Sequence, residues 1–126
     1  MIVRLVGSEM CIRDRASAIM PLASPIGSGL GLLNKINISL IIKQSKVPVI
    51  VDAGIGRVSH ACQVIELGYD GILLNSAVAL SKNPPKFAES IYNGVNSAIE
   101  SIKAGPISVS KKPIASTTSK GIAFRK

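Results

Sequence analysis

Asp52, Ala53-Gly54, Gly56 and the pair Asn75-Ser76 are the residues whose types and spacing could do chemistry. They lie in two stretches. Val47-Pro-Val-Ile-Val-Asp-Ala-Gly-Ile-Gly56 reads as a strand and a Gly-rich turn. Glu66-Leu-Gly-Tyr-Asp-Gly-Ile-Leu-Leu-Asn-Ser-Ala-Val78 reads as a helix end, a strand and a polar turn. A carboxylate at the C-terminal end of a parallel strand sits where parallel α/β folds build their sites. Asp52 there could act as a general acid or base. It could equally fix its own turn by accepting backbone N–H groups. Gly54-Ile55-Gly56 precedes a helix, so backbone can approach an anion and free N–H groups can meet it. A single Gly-x-Gly is no more than a tight turn. Gly27, Gly29 and Gly31 form a second such stretch, and Asn75 and Ser76 a third polar strand end. If these ends converge on one rim, the rim binds phosphate.

The elements that must position them follow from the pattern. Ser17–Leu22 is a short apolar strand that turns at Ala23-Ser24-Pro25, and Ile26–Gly31 is a loop. Asn34 caps a helix over Lys35–Ser45, with Ile38, Ile41 and Ile42 on one face. Val47–Val51 is apolar without alternation, as suits a parallel strand covered on both sides. A helix over Ser59–Leu67 buries Val58, Ala61, Cys62 and Ile65, and Gly68 stops it. Gly71–Leu74 is the next strand. Asn83-Pro84-Pro85 opens a long helix with Phe87, Ile91, Val95, Ala98 and Ile102 inward, and Gly105-Pro106 closes it. Alternating strands and helices form parallel sheets with right-handed crossovers. The expected fold class is α/β: the C-terminal part of a (β/α)8 barrel, about three βα units. A complete barrel needs about 250 residues, and this chain has 126.

Composition removes some functions. The chain is 47% hydrophobic and 3% aromatic, with a net charge of +8. Lys111, Lys112, Lys120, Arg125 and Lys126 fall in a tail beyond Gly105-Pro106. The remaining basic residues are scattered without aromatic interleaving, so no nucleic-acid face is expected. The apolar stretch from Ile36 to Val51 is interrupted by Lys43, Gln44, Lys46 and Pro48, so no membrane span is expected. Cys11 and Cys62 do not make a disulfide framework, which favours a reducing, cytosol-like compartment. His60 is expected in the first turn of a surface helix, solvent-facing or capping, away from the strand ends. Cys62 is expected as a small core residue. No metal-ligand spacing is present, and neither a metal nor a cofactor is expected.

Residues 1–15 fit no periodic element. Val6-Gly-Ser-Glu-Met-Cys-Ile-Arg-Asp-Arg15 can be read back as GTG GGC TCG GAG ATG TGT ATA AGA GAC AG. That string resembles a transposase-type sequencing adapter. The expected organisation is thus an adapter-derived segment over 1–15, a barrel segment over 16–105, and a loosely packed basic tail over 106–126.

From Ser17 to about Lys120 the chain resembles bacterial and plastid thiazole synthase. The matching stretches are Met20-Pro21-Leu22 with Ser24–Leu32, Val47–Gly56, Ser59-His60-Ala61 to Glu66-Leu67-Gly68, and Leu73–Ala77. Ala104-Gly105-Pro106 and Ala115-Ser116-Thr117 resemble its C-terminal region. The resemblance implies a (β/α)8 barrel, in the cytoplasm or plastid stroma, that is homo-oligomeric at full length. It implies condensation of 1-deoxy-D-xylulose 5-phosphate, dehydroglycine and sulfide. The sulfide arrives as a thiocarboxylate on a small ubiquitin-like sulfur-carrier protein. It also implies that Gly27, Ala53, Gly54, Asn75 and Ser76 bind the sugar phosphate, with Asp52 beside the substrate as acid/base.

The chain departs from the family pattern in two ways. The Schiff-base lysine and a nearby glutamate belong to an earlier strand with no counterpart here, and neither Lys82 nor Lys86 takes that place. Leu30 and Ser76 stand where many members carry Gln and Thr; Ser76 keeps the hydroxyl. The whole protein is therefore expected to be a thiazole synthase and this chain alone to be inactive. Two alternatives stay open: another phosphate-binding barrel such as the pyridoxal-phosphate synthase subunit, or a non-catalytic anion-binding half-barrel.

Overall fold

The computed structural model describes residues 15–110 and 112. The expectations for Cys11, for the adapter-derived segment up to residue 14 and for the tail over 113–126 fall outside them.

The described chain is α/β. Its elements are α1 (Lys35–Gln44), β1 (Ile50–Asp52), α2 (Val58–Leu67), β2 (Gly71–Leu73), α3 (Ser76–Ala79) and α4 (Pro84–Ala104). β1 and β2 pair in parallel, with Ile50 opposite Gly71, Val51 opposite Ile72 and Asp52 opposite Leu73. The expected first strand lies on the other side of β1. It runs parallel through the bridges Ile19–Val49 and Leu22–Asp52. Proline explains why these are bridges rather than a continuous ladder. The Ile19 N–H donates to Pro48 O at 2.9 Å, Ile50 N–H to Ile19 O at 2.9 Å, Asp52 N–H to Pro21 O at 3.1 Å and Ala23 N–H to Asp52 O at 3.4 Å. The missing rung is the one Pro21 would donate, and Pro21 has no N–H.

Caps set the helix ends. Asn34 Oδ1 accepts the Asn37 N–H at 3.2 Å, and Asn83 Oδ1 accepts the Lys86 N–H at 3.2 Å. Both satisfy donors that a helix start leaves unpaired. Gly68 and Gly105 end α2 and α4 in the left-handed conformation. α3 falls where sequence suggested only a polar turn.

The core lies between the strands and the helices. Val49, Val51 and Val64 are its largest fully enclosed side chains, joined by Ile19, Ile38, Ile41, Ala61, Tyr69 and Ile91. Val51 faces this core from the central strand, as its apolar neighbours predicted. α2 buries Ala61, Val64 and Ile65, whereas Cys62 is only half-buried. Cys62 lies against α4, where its Sγ donates to Gly94 O at 3.4 Å. A Cβ on Gly94 would run into Val58, so the glycine sets how closely α4 approaches α2. Ile102 is 43% exposed rather than inward. α4 has 21 residues against ten in α2, and Ser101–Ala104 are exposed. Its last turn therefore has overrun its neighbour.

Candidate active site

β1 delivers Asp52 to its C-terminal end, and the chain then turns sharply. Ala53 and Gly54 both have positive φ, +60° and +85°. That region costs an L-residue roughly 1–2 kcal/mol, so Ala53 is held there by its surroundings. Gly54 has no alternative. A Cβ at that position would lie 2.6 Å from the Ser24 backbone nitrogen and would strike the Ser24 hydroxyl. Ser24 is itself buried, and its Oγ lies 3.1 Å from Ser28 Oγ.

The two glycine stretches meet as backbone against backbone. A Cβ on Gly56 would lie 2.7 Å from Gly29 Cα. The Gly31 N–H donates to Gly54 O at 2.8 Å. The first contact leaves no room for a side chain on Gly56. The loop after the first extended segment is thereby locked to the loop after β1.

A cleft of about 480 Å³ opens at this end of the strands. Gly27, Asp52, Ala53, Gly54, Asn75 and Ser76 all line it. The structure thus brings these six residues into one cavity, of a size that small-molecule sites occupy, whereas Gly31 does not line it. Sequence reasoning missed its apolar wall. Leu73, Leu80 and Phe87 line the cleft as well. Phe87 was read only as an inward residue of α4, and Leu80 follows the α3 turn that the sequence did not announce.

The cleft combines the polar residues Asp52, Asn75, Ser76 and Ser81 with main-chain groups. The N–H groups of Gly54, Ile55, Ser76 and Ala77 donate to no acceptor among the described residues, and these residues line the cavity. Asn75 precedes α3 without capping it through its side chain. Asp52 supplies the carboxylate. Its side chain has no hydrogen-bond partner among the described residues, so it is not spent on fixing its own turn. Among the described residues, neither lysine nor arginine lines the cleft. No group of His, Cys, Asp and Glu among the described residues is placed to hold a metal ion.

His60 differs from its expectation. It is half-buried, and its Nδ1 accepts the Gly56 N–H at 3.3 Å. It does cap, but it sits against the glycine loops rather than away from the strand ends. No side-chain pattern could have announced that contact, because its partners are backbone.

The family model of thiazole biosynthesis protein ThiG matches residues 9–119. The chain is 53% identical over 108 residues to a thiazole synthase of Prochlorococcus marinus (strain MIT 9312), covering 86% of this chain and 41% of that protein. It is 51% identical over 107 residues to a thiazole synthase of Staphylococcus epidermidis, covering 85% and 42%. The crystal structure of the Amycolatopsis orientalis BexX/CysO complex superposes with a TM-score of 0.80 at 28% identity, over 86% of this chain and 44% of that one. A thiamine phosphate pyrophosphorylase from Pyrococcus furiosus shares the fold alone, with a TM-score of 0.62 at 22% identity over 73% and 45%. The chain thus spans 41–42% of the length of these curated relatives. With a family model matching most of its residues, the chain belongs to the thiazole biosynthesis protein ThiG family.

Proposed function

We propose that the complete protein carrying this chain is a thiazole synthase. It condenses 1-deoxy-D-xylulose 5-phosphate, dehydroglycine and the sulfide of a ubiquitin-like carrier thiocarboxylate into thiazole phosphate for thiamin. Residues 16–105 supply the C-terminal part of its (β/α)8 barrel, and 106–126 a basic tail. The carrying observation is the convergence of Gly27, Asp52, Ala53-Gly54 and Asn75-Ser76 on one cleft, in a chain of this family.

The chemistry follows from the parts. A phosphate needs donors, and Gly54, Ile55, Ser76 and Ala77, whose N–H groups have no acceptor among the described residues, line the cleft. Backbone donors held rigidly cost little to organise around an anion. With the phosphate held there, the sugar carbons extend toward Asp52. Its unengaged carboxylate takes and returns protons as the condensation proceeds. The Schiff-base lysine comes from the part of the barrel outside this chain. The parallel order of the first segment, β1 and β2, with helices between, supports the barrel. Met20, Leu33 and Leu73 are exposed, and the missing strands and helices would cover them. A protein partner is supported by the similar fold solved as the BexX/CysO complex. The full-length assembly is a homo-oligomer of the cytoplasm or plastid stroma.

The test uses the complete protein and the 126-residue chain side by side, with the three substrates, and measures thiazole phosphate. The complete protein is expected to form it and the chain alone to form none. Product from the purified chain alone would overturn the division of labour. No product from the complete protein would overturn the function.

A further inference from the structure

We infer that His60 is a positioning residue that holds the two glycine loops together at the mouth of the cleft. The inference rests on the phosphate-rim reading of that cleft. Its Nδ1 accepts the Gly56 N–H at 3.3 Å. Its ring packs flat against Gly31, where a Cβ would lie 3.0 Å from the ring carbons. Gly56 in turn abuts Gly29, and Gly31 donates to Gly54 at 2.8 Å. One side chain therefore touches both loops: the first through a van der Waals contact, the second through a hydrogen bond. Gly29, Gly31, Gly54 and Gly56 carry no side chains of their own; the loops' other anchors are the Ser24–Ser28 hydroxyl pair and the buried Ile55. His60 lies in the first turn of α2, so the rigid helix sets its place. It reaches back past the capping position to an N–H outside the helix, which an ordinary capping side chain does not do. His60 does not line the cleft, so it acts through the glycines and not on substrate.

The bond needs an acceptor where Nδ1 stands, and that makes the role testable. Asn places its Oδ1 at the same distance along the side chain as Nδ1, whereas Gln places its oxygen one atom further out. The complete protein is prepared as wild type, His60→Ala, His60→Asn and His60→Gln. Inorganic phosphate binding is measured by calorimetry and turnover with 1-deoxy-D-xylulose 5-phosphate. His60→Ala is expected to raise the phosphate Kd and the sugar-phosphate KM by about tenfold, the scale of one lost hydrogen bond. His60→Asn should recover most of that and His60→Gln little of it. In each variant kcat at saturating substrate should hold within about twofold, because a binding rim acts before the chemical step. A purely structural role would instead lower kcat in step with the folded fraction. Unchanged Kd in His60→Ala, or Asn no better than Gln, would overturn the inference alone. Phosphate failing to bind wild type would remove the rim reading and the inference with it.

Discussion

Asp70 holds Val49 by both of its backbone groups. Its Oδ2 accepts the Val49 N–H at 2.8 Å, and its own N–H donates to Val49 O at 2.9 Å. The side chain thus replaces one partner in a rung just before the first true pair, Ile50 and Gly71. Val49 is 1% exposed, so its N–H would otherwise be buried unpaired. The clasp fixes the register that brings Asp52 and Leu73 level. Asp70→Ala is expected to destabilise the complete protein by about 1–3 kcal/mol, the cost of an orphaned buried donor. Asp70→Asn keeps an acceptor and should cost less. Urea unfolding midpoints at constant slope decide it.

Gly54 and Gly27 line the same cleft at positive φ, yet they should respond differently to the same change. A Cβ on Gly54 meets Ser24, whereas a Cβ on Gly27 meets nothing within 4 Å. Gly27→Ala should cost only the backbone strain, about 1–2 kcal/mol. Gly54→Ala should cost clearly more and abolish phosphate binding. Adding Ser24→Ala should not rescue it, because the Ser24 backbone nitrogen remains in the way. Thermal unfolding and phosphate calorimetry on the single and double variants would show this. Equal losses at the two glycines would contradict it.

Asp52→Asn preserves shape and removes the carboxylate. In the complete protein it should lower kcat by on the order of 100-fold or more, as expected for a lost general acid/base. Sugar-phosphate binding should survive, since the amide donors are untouched. A variant retaining near-normal kcat would return Asp52 to a structural role.

Tyr69 is 4% exposed and its hydroxyl has no hydrogen-bond partner among the described residues. Burial pushes its pKa up from 10.0 to about 12, because the phenolate would lose its hydration. The sign is fixed by the folded value lying above the unfolded one. Between pH 10 and about 12 the unfolded chain releases this proton first, so stability falls as pH rises through that window and is intact below it. Tyr69→Phe should remove this alkaline loss. It should also be neutral or stabilising by about 1 kcal/mol at neutral pH, since it deletes an unsatisfied buried group. Unfolding midpoints from pH 8 to 12 in both proteins test the two effects together.

Local chemistry was legible in the chain; contacts between distant loops were not. Asn34 and Asn83 announce helix starts because a side-chain acceptor three residues before an orphan N–H is a local event. Asp52 and Asn75-Ser76 announce strand ends for the same reason. Val64 escaped the expected α2 stripe, because the sheet and α4 both cover that helix and bury a wider face than an i, i+3, i+4 pattern allows. Ile102 was placed inward by its period alone, and no period reveals where a neighbouring helix stops. Pro21 was visible, but only the pairing with β1 shows which rung it deletes. The meeting of Gly29 with Gly56, some 27 residues apart in the sequence, has no local signature at all.

That last contact has a consequence for how such a site is found experimentally. Where two glycine loops meet, there is nothing to trim. Systematic truncation of side chains passes over Gly29, Gly31, Gly54 and Gly56 as blanks, because alanine there is an addition. The information lies in what these positions refuse. A survey that enlarges every residue by one carbon would light up these four positions, while a survey that shortens them would see this corner only through its neighbour His60.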